Sequence, residues 1–402
     1  MGILEHKIKT RFIQAYIGLL FFVLFIYGIN NQAIGTLITQ IIEHYGIRMA
    51  QAGLLSSFTS AGNFAAIFII TIFVGRINKI ILMGAGLFFF AVSLFLISII
   101  PPFAIILVCF SLIGLFGATV DTLVNSLVAD LQPDNVSRTI SLLHGFFGLG
   151  GLCGPIIIEY LTGTLRWDQV YLVISIAFFI YLIFYTIFIK WQWHGLTTHM
   201  SQEKQARFGF SDIVQFFTRK RHVLLWIAMF LYGGNQSAVA IWIKRYVETY
   251  LNVPVWGAYA LSAMWLGTAV CRLVLSPGIK ASSPWKIVIG NLISTFALVA
   301  GLLSGSAPGI TAAALLVGLS SGWTLPLILA LGCQWYPEKT ALGTMMPFTA
   351  FFIAYVVFPP LSGFISDSWG IPWGVAVGAV CAFLTAVLAW LLNLNLKSEK
   401  AL

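Results

Sequence analysis

The stretch GLFGATVDTLVNSLVAD, Gly114 to Asp130, decides how this chain is read. It is apolar for most of its length, yet carries Asp121 in its middle and Asn125 four residues on. A spacing of four sets both side chains on one helix face. A carboxylate inside a membrane-spanning helix costs about 2.5–3.5 kcal/mol even on the lower scales, so its presence points to function. The simplest such function is to take up and release a proton at membrane depth.

The surrounding composition supports a membrane setting. Of 402 residues, 59% are hydrophobic and only 9% charged, with a mean hydropathy of +0.94. Soluble domains carry about 25% charged residues, so this is a polytopic membrane protein whose first partner is the lipid bilayer. The net charge of +9 does not point to nucleic acid, because the basic residues are scattered between apolar segments with no contiguous basic face. Five cysteines, Cys109, Cys153, Cys271, Cys333 and Cys381, lie far apart within the expected spans, which reads as buried thiols and not as disulfides or a zinc site. The first apolar stretch is longer than a signal-peptide core and has no small-residue cleavage site after it, so it is expected to remain as the first helix.

A bilayer core needs about 20 apolar residues per helix. On that ruler the chain predicts twelve spans, over 13–42, 49–75, 80–100, 103–131, 138–163, 168–190, 222–251, 256–279, 285–305, 308–335, 340–366 and 371–393. Seventeen Lys and Arg residues fall on one side of these spans and four on the other, while Arg272 sits within a span. Both termini and the central connection are therefore expected on the cytoplasmic side. That connection, residues 191–221, separates a six-helix bundle at 1–190 from a second at 222–402. It is open to two readings, an amphipathic surface helix or a solvated linker.

The two bundles carry a common imprint. Tyr27-Gly28 in span 1 and Tyr232-Gly233 in span 7 lie 205 positions apart, and Gly114 and Gly318 lie 204 apart. Matching offsets at independent places argue for a duplicated six-helix unit with a polar site between the copies, the plan of alternating-access carriers of the major facilitator type. Glycine beside amides in spans 1 and 7 lowers helix propensity, and Asn30, Asn31, Gln32, Asn235 and Gln236 offer donors and acceptors to a hydroxylated solute. The competing reading of these residues is packing between helices.

The motifs narrow the resemblance. Asp121-Thr122-x-x-Asn125 is similar to the E-T-x-x-N of the fourth helix in fucose–proton symporters and to the D-x-x-x-N of animal sodium-dependent glucose transporters. His144-Gly145-Phe146-Phe147-Gly148-Leu149-Gly150 with Pro155 resembles the H-x-F-F-G-x-G…P of their fifth helix. Tyr232-x-Gly234-x-Gln236, followed by Trp242 and Tyr246, resembles their seventh-helix Y-V-G-x-E…W-x-x-x-Y, and Trp265-x-Gly267 with Arg272 their eighth-helix W-x-G…G-R. The resemblance implies that Asp121 is the proton-coupling acid and that sugars are the solute class. The chain departs from the pattern at two acids. Span 1 has Asn30-Asn31-Gln32 with no carboxylate, and Gln236 stands where the family has Glu, which leaves Asp121 as the one mid-membrane acid.

Asn31, Gln32, Asn125, Asn235, Gln236, Trp242, Trp265, Lys244, His144 and Phe147 make up the candidate solute-binding set. Arg272 is a candidate charge partner of Asp121. Arg76 and Lys79 form a degenerate version of the superfamily's basic loop between spans 2 and 3; lacking the loop's own acid, they would turn to Asp130, with Arg138 nearby, as a gate. Lys244 and Arg245 either face an anionic solute or extend to the interface. His144 either relays protons or packs by hydrogen bonds. Pro326, Pro347, Pro359 and Pro360 suggest kinks in spans 10 and 11.

Together these readings describe a monomeric, proton-coupled carrier of a small polar solute in a bacterial cytoplasmic membrane, with no cofactor beyond the proton. No HExxH, GxSxG or phosphate-binding loop suggests an enzyme. The rival is a carrier, importing or exporting, for an anionic or larger metabolite such as a carboxylate siderophore or a drug.

Overall fold

The computed structural model describes residues 2–73, 77–132, 136–197, 210–275, 284–336 and 339–401. These residues form long helices joined by short connections, as a chain must when the bilayer offers its backbone no water to bond. Among them, eleven helices are long and apolar enough to cross a membrane, and Met49–Phe73 takes the second place in chain order. Most of the spans fall within a few residues of their expected bounds, whereas the helix of span 1 begins well before its expected start and those of spans 6 and 12 run on past their expected ends.

Span 1 is two helices, Gly2–Asn31 and Ala33–Tyr45, divided at Gln32. Spans 2 to 6 are Met49–Phe73, Lys79–Ser98, Phe103–Leu131, Val136–Thr162 and Trp167–Thr197. Span 7, Lys220–Arg245, continues as a π-helix over Tyr246–Tyr250, and span 8, Pro254–Val270, continues as a π-helix over Cys271–Leu275. Span 9 is Trp285–Leu303, and span 10 is divided into Ala307–Ser321 and Thr324–Trp335. Spans 11 and 12 are Thr340–Trp369 and Ile371–Ala401. Of the central connection, Phe210–Thr218 is helical, with Phe216 buried against Leu342 and Met346, while residues 198–209 lie outside the described set.

The described chain groups into two compact units. One holds Met1–Ala33 and Ala61–Lys204; the other holds Ile34–Ser60 and Gln205–Leu402. The second unit therefore includes the segment joining spans 1 and 2 with the adjoining parts of both.

Lipid supplies no hydrophobic drive between helices, so close packing at small residues must hold them together. In the first unit, a Cβ on Gly28 of span 1 would strike the Phe147 carbonyl of span 5, and one on Gly62 of span 2 would strike the Ser111 carbonyl of span 4. The second unit repeats both crossings. Gly233 of span 7 lies against Ala354 of span 11, and Gly267 of span 8 against the Leu315 carbonyl of span 10. Gly28 and Gly233 are 205 positions apart, as are Gly62 and Gly267. The sequence offset is thus matched by the same helix crossings in each unit, which is what a duplicated six-helix unit requires.

Hydroxyls fasten the first unit further. Tyr185 of span 6 donates to the Ile80 carbonyl of span 3 at 3.0 Å and pairs with the Tyr16 hydroxyl of span 1 at 3.2 Å.

The glycine crossings give a direct test. Gly62→Val or Gly267→Val should destabilise the purified protein by roughly 1–3 kcal/mol or more, because backbone cannot yield as a side chain does. Gly18→Ala, with open space around it, should be neutral or slightly stabilising. Thermal melts in detergent distinguish these outcomes.

Candidate functional site

In the first unit the ionisable and amide residues of spans 1, 4 and 5 converge on one side chain. Asp121 is half-buried on span 4, and Asn125, one turn on, donates from Nδ2 to its backbone carbonyl at 2.8 Å and to its Oδ1 at 3.3 Å. Tyr27 of span 1 crosses to span 4 over Gly117, one turn before Asp121, where a Cβ would meet the ring. Tyr27 and His144 of span 5 both interact electrostatically with the Asp121 carboxylate. Asn31 donates to the Tyr27 carbonyl at 3.2 Å and also interacts with its side chain. Phe147 packs on the Tyr27 ring with centroids 6.0 Å apart.

Exposure sorts this set. Asn31 and His144 are exposed and Asp121 and Asn125 half-buried, whereas Asn30 and Gln32 are buried. Gln32 packs against Gly154 of span 5, at the break in span 1. The open residues thus combine an acid, an imidazole and two amides. That set can exchange a proton and bond hydroxyls.

In the second unit, the amides singled out in the sequence are used inside the protein. Asn235 donates to the Gly378 carbonyl of span 12 at 2.9 Å, and Gln236 donates to Asn235 Oδ1 at 3.1 Å and to Ser321 Oγ of span 10 at 3.2 Å. Both are buried and tie spans 7, 10 and 12 together. Trp242 is fully buried and donates to Ser362 Oγ at 2.8 Å. Trp265 is partly buried.

Arg272 stands apart from these packing residues. It is half-buried, lies in the π-helix that ends span 8, and donates from Nε to the Gly322 carbonyl at 3.2 Å. Gly322 marks the break in span 10, so an interrupted helix supplies the acceptor. Tyr232 and Tyr355 interact with the guanidinium. Among the described residues, its own unit gives it hydroxyls and a carbonyl but no carboxylate.

The remaining candidates lie toward the ends of the spans. Lys79 donates to Asp130 Oδ2 at 2.8 Å, an ion pair with side chains 11% and 4% exposed. Arg76 lies outside the described residues, as does the side chain of Arg138. Lys244 is buried and paired with Glu248 on its own helix, and Arg245 interacts with Glu43, Glu248 and Asp367. Sequence reasoning gave no site role to Tyr27, Tyr232, Glu248 or Asp367. Tyr27 and Glu248 had a signal within reach, their spacing of four from Asn31 and Lys244. Tyr232 and Asp367 meet their partners across long sequence separations.

Twelve spans with repeated internal crossings, and ionisable groups within them, define a multi-pass membrane transporter of small solutes, not an enzyme. The family model of the Major Facilitator Superfamily matches residues 20–308, and the chain belongs to that superfamily. It is 24% identical over 353 residues to the mouse sodium-dependent glucose transporter 1A, covering 78% of this chain and 80% of that protein. Among solved structures, it is similar to a bacterial homologue of the human lysosomal transporter Spinster, with a TM-score of 0.70, 14% identity and 95% of each chain covered. It is also similar to the E. coli fucose–proton symporter FucP, with a TM-score of 0.63, 18% identity, and 94% of this chain and 98% of that one covered. At these identities the structural likenesses establish the fold.

The Lys79–Asp130 pair generates a second expectation. Asp130→Ala leaves a largely buried ammonium unpaired and should cost roughly 3 kcal/mol or more. Replacing both partners together, Lys79→Met with Asp130→Leu, should recover most of that loss in the same melting assay.

Proposed function

We propose that the protein is a secondary carrier for a small hydroxylated solute of the sugar class, driven by protons through Asp121. The observation that carries this reading is the convergence of Tyr27, Asn125 and His144 on Asp121 in a cluster that remains partly open. The similarity to a glucose transporter and to a fucose–proton symporter supports the solute class. By alternating access, the carrier would present this cluster by turns to either face of the membrane. Protonation neutralises the acid, removes the cost of a bare carboxylate in low dielectric and lets the loaded carrier close. The positive residues favour cytoplasmic termini in a bacterial inner membrane, and a monomer suffices for the cycle.

Each neighbour has a separate task in this scheme. Asn125 reaches the carboxylate with one bond and the Asp121 backbone carbonyl with the other, and His144 brings an imidazole into electrostatic reach of the acid. Asn31 is the exposed amide of span 1 and the best placed to meet a solute hydroxyl. Gln236 and Asn235 fix the helices of the second unit.

A second reading is favoured by Arg272. A guanidinium at membrane depth that, among the described residues of its own unit, meets hydroxyls and a carbonyl suits a solute carrying a carboxylate. Lys244 no longer supports that reading, since Glu248 already pairs with it. Uptake into proteoliposomes under an imposed pH gradient, with neutral sugars compared against organic anions, separates the two solute classes.

The coupling role has its own test. Asp121→Asn should abolish proton-driven accumulation while solute exchange across the membrane persists. Equal loss of both activities would assign Asp121 to structure and overturn its coupling role.

A further inference from the structure

The second unit joins the two parts of the chain at the end of the spans away from the termini, and it does so with charges. Asp367, at the end of span 11, accepts the Met49 amide on Oδ1 at 3.1 Å and the Ala50 amide on Oδ2 at 2.9 Å. These are the first amides of span 2, which have no partner within their own helix, and the carboxylate meets the positive end of the helix dipole. One turn before the end of span 7, Lys244 is paired with Glu248, whose other oxygen accepts the Thr39 hydroxyl of span 1 at 2.7 Å. Arg245 lies within electrostatic reach of Glu43, Glu248 and Asp367 without pairing to one of them through Nε or Nη1.

The backbone between these points is closely fitted. A Cβ on Gly35 would strike the Ala240 carbonyl, one on Gly53 would strike Pro359 and Pro360, and one on Gly363 would strike the Met49 carbonyl. Ser57 and Ser60 of span 2 donate to the Val356 and Phe352 carbonyls of span 11 at 2.6 and 2.9 Å. Spans 1 and 2 thus touch spans 7 and 11 without an intervening layer of side chains.

We infer that Asp367 and Glu248 form a releasable latch that holds the Ile34–Ser60 segment against spans 7 and 11, and that opening of this end of the carrier requires the latch to part. This inference rests on the alternating-access reading above. The chemistry suits a contact made and broken in every cycle. Most of the crossing bonds join a charged group to a backbone amide or a hydroxyl, and water replaces each such partner when the surfaces separate. Lys244 and Glu248 share one helix, so they remain paired in either state and no lysine is stranded. The same pairing explains how a fully buried lysine is tolerated at this depth, and why it is not free to bind solute.

Nitroxide labels at His44 and Val255, both exposed, in a chain whose five cysteines have been replaced, would report the separation of this end by pulsed electron resonance. Asp367→Ala should shift the ratio of open to closed distances toward open by about tenfold or more, as loss of two charge-assisted hydrogen bonds implies. Thr39→Val, which removes a hydroxyl at constant shape, should shift it in the same direction by a smaller factor. Unchanged distances in the Thr39 variant and in a folded Asp367 variant would overturn the latch; should the Asp367 variant fail to fold, the Thr39 variant alone decides. The readout needs no solute. A shift in a protein that transports no sugar or anion would sink the proposed function and leave the latch standing.

Discussion

Hydrocarbon offers no hydrogen bonds, and this single constraint organises the molecule. Every polar group within a span must be met by the protein or must open to water. The chain answers in both ways. Gln236, Asn235, Trp242 and Lys244 are met internally, by Ser321, Gly378, Ser362 and Glu248. Asp121, Asn125, Asn31 and His144 keep partial exposure, and Arg272 does so in the other unit. Residue type does not make this distinction, since amides and charges occur in both sets.

The fold was legible because its signals are local. Twenty apolar residues, a short polar break and a bias of Lys and Arg can each be read within a window of the chain. Most of the spans accordingly fall close to expectation. The duplication was legible too, through glycines 204 and 205 positions apart, and at Gly28, Gly62, Gly267 and Gly318 the structure shows why the position is glycine: a Cβ there would strike the backbone of a neighbouring helix. Departures from regular helix were not legible. The breaks at Gln32 and Gly322 and the π-helices at Tyr246 and Cys271 were not placed by the span pattern, which registers length and apolarity alone.

The site was legible in part, for the same reason. Asp121 and Asn125 share a face through a spacing of four, and His144 lies in a motif, so the sequence could bring them forward. It could not tell an open amide from a buried one. Asn31 and Gln32 are adjacent in the chain, yet one is exposed and the other packs on Gly154. Lys244 shows the same limit in reverse. A cation in a span reads as a ligand for an anion until its partner, Glu248, is seen one turn away, and the pair gains its meaning only when Thr39 is found across the gap.

The recurrence of the glycine crossings also bears on how such a carrier diversifies. Positions where backbones touch tolerate almost no change, so both copies of the ancestral half keep them. Side chains that face open space carry no such burden and are free to drift apart. One copy holds a carboxylate, Asp121, and the other a guanidinium, Arg272, on frames whose crossings match. Inheritance of the frame and divergence of its fittings are therefore separate events, and a change of cargo need not disturb the architecture that carries it.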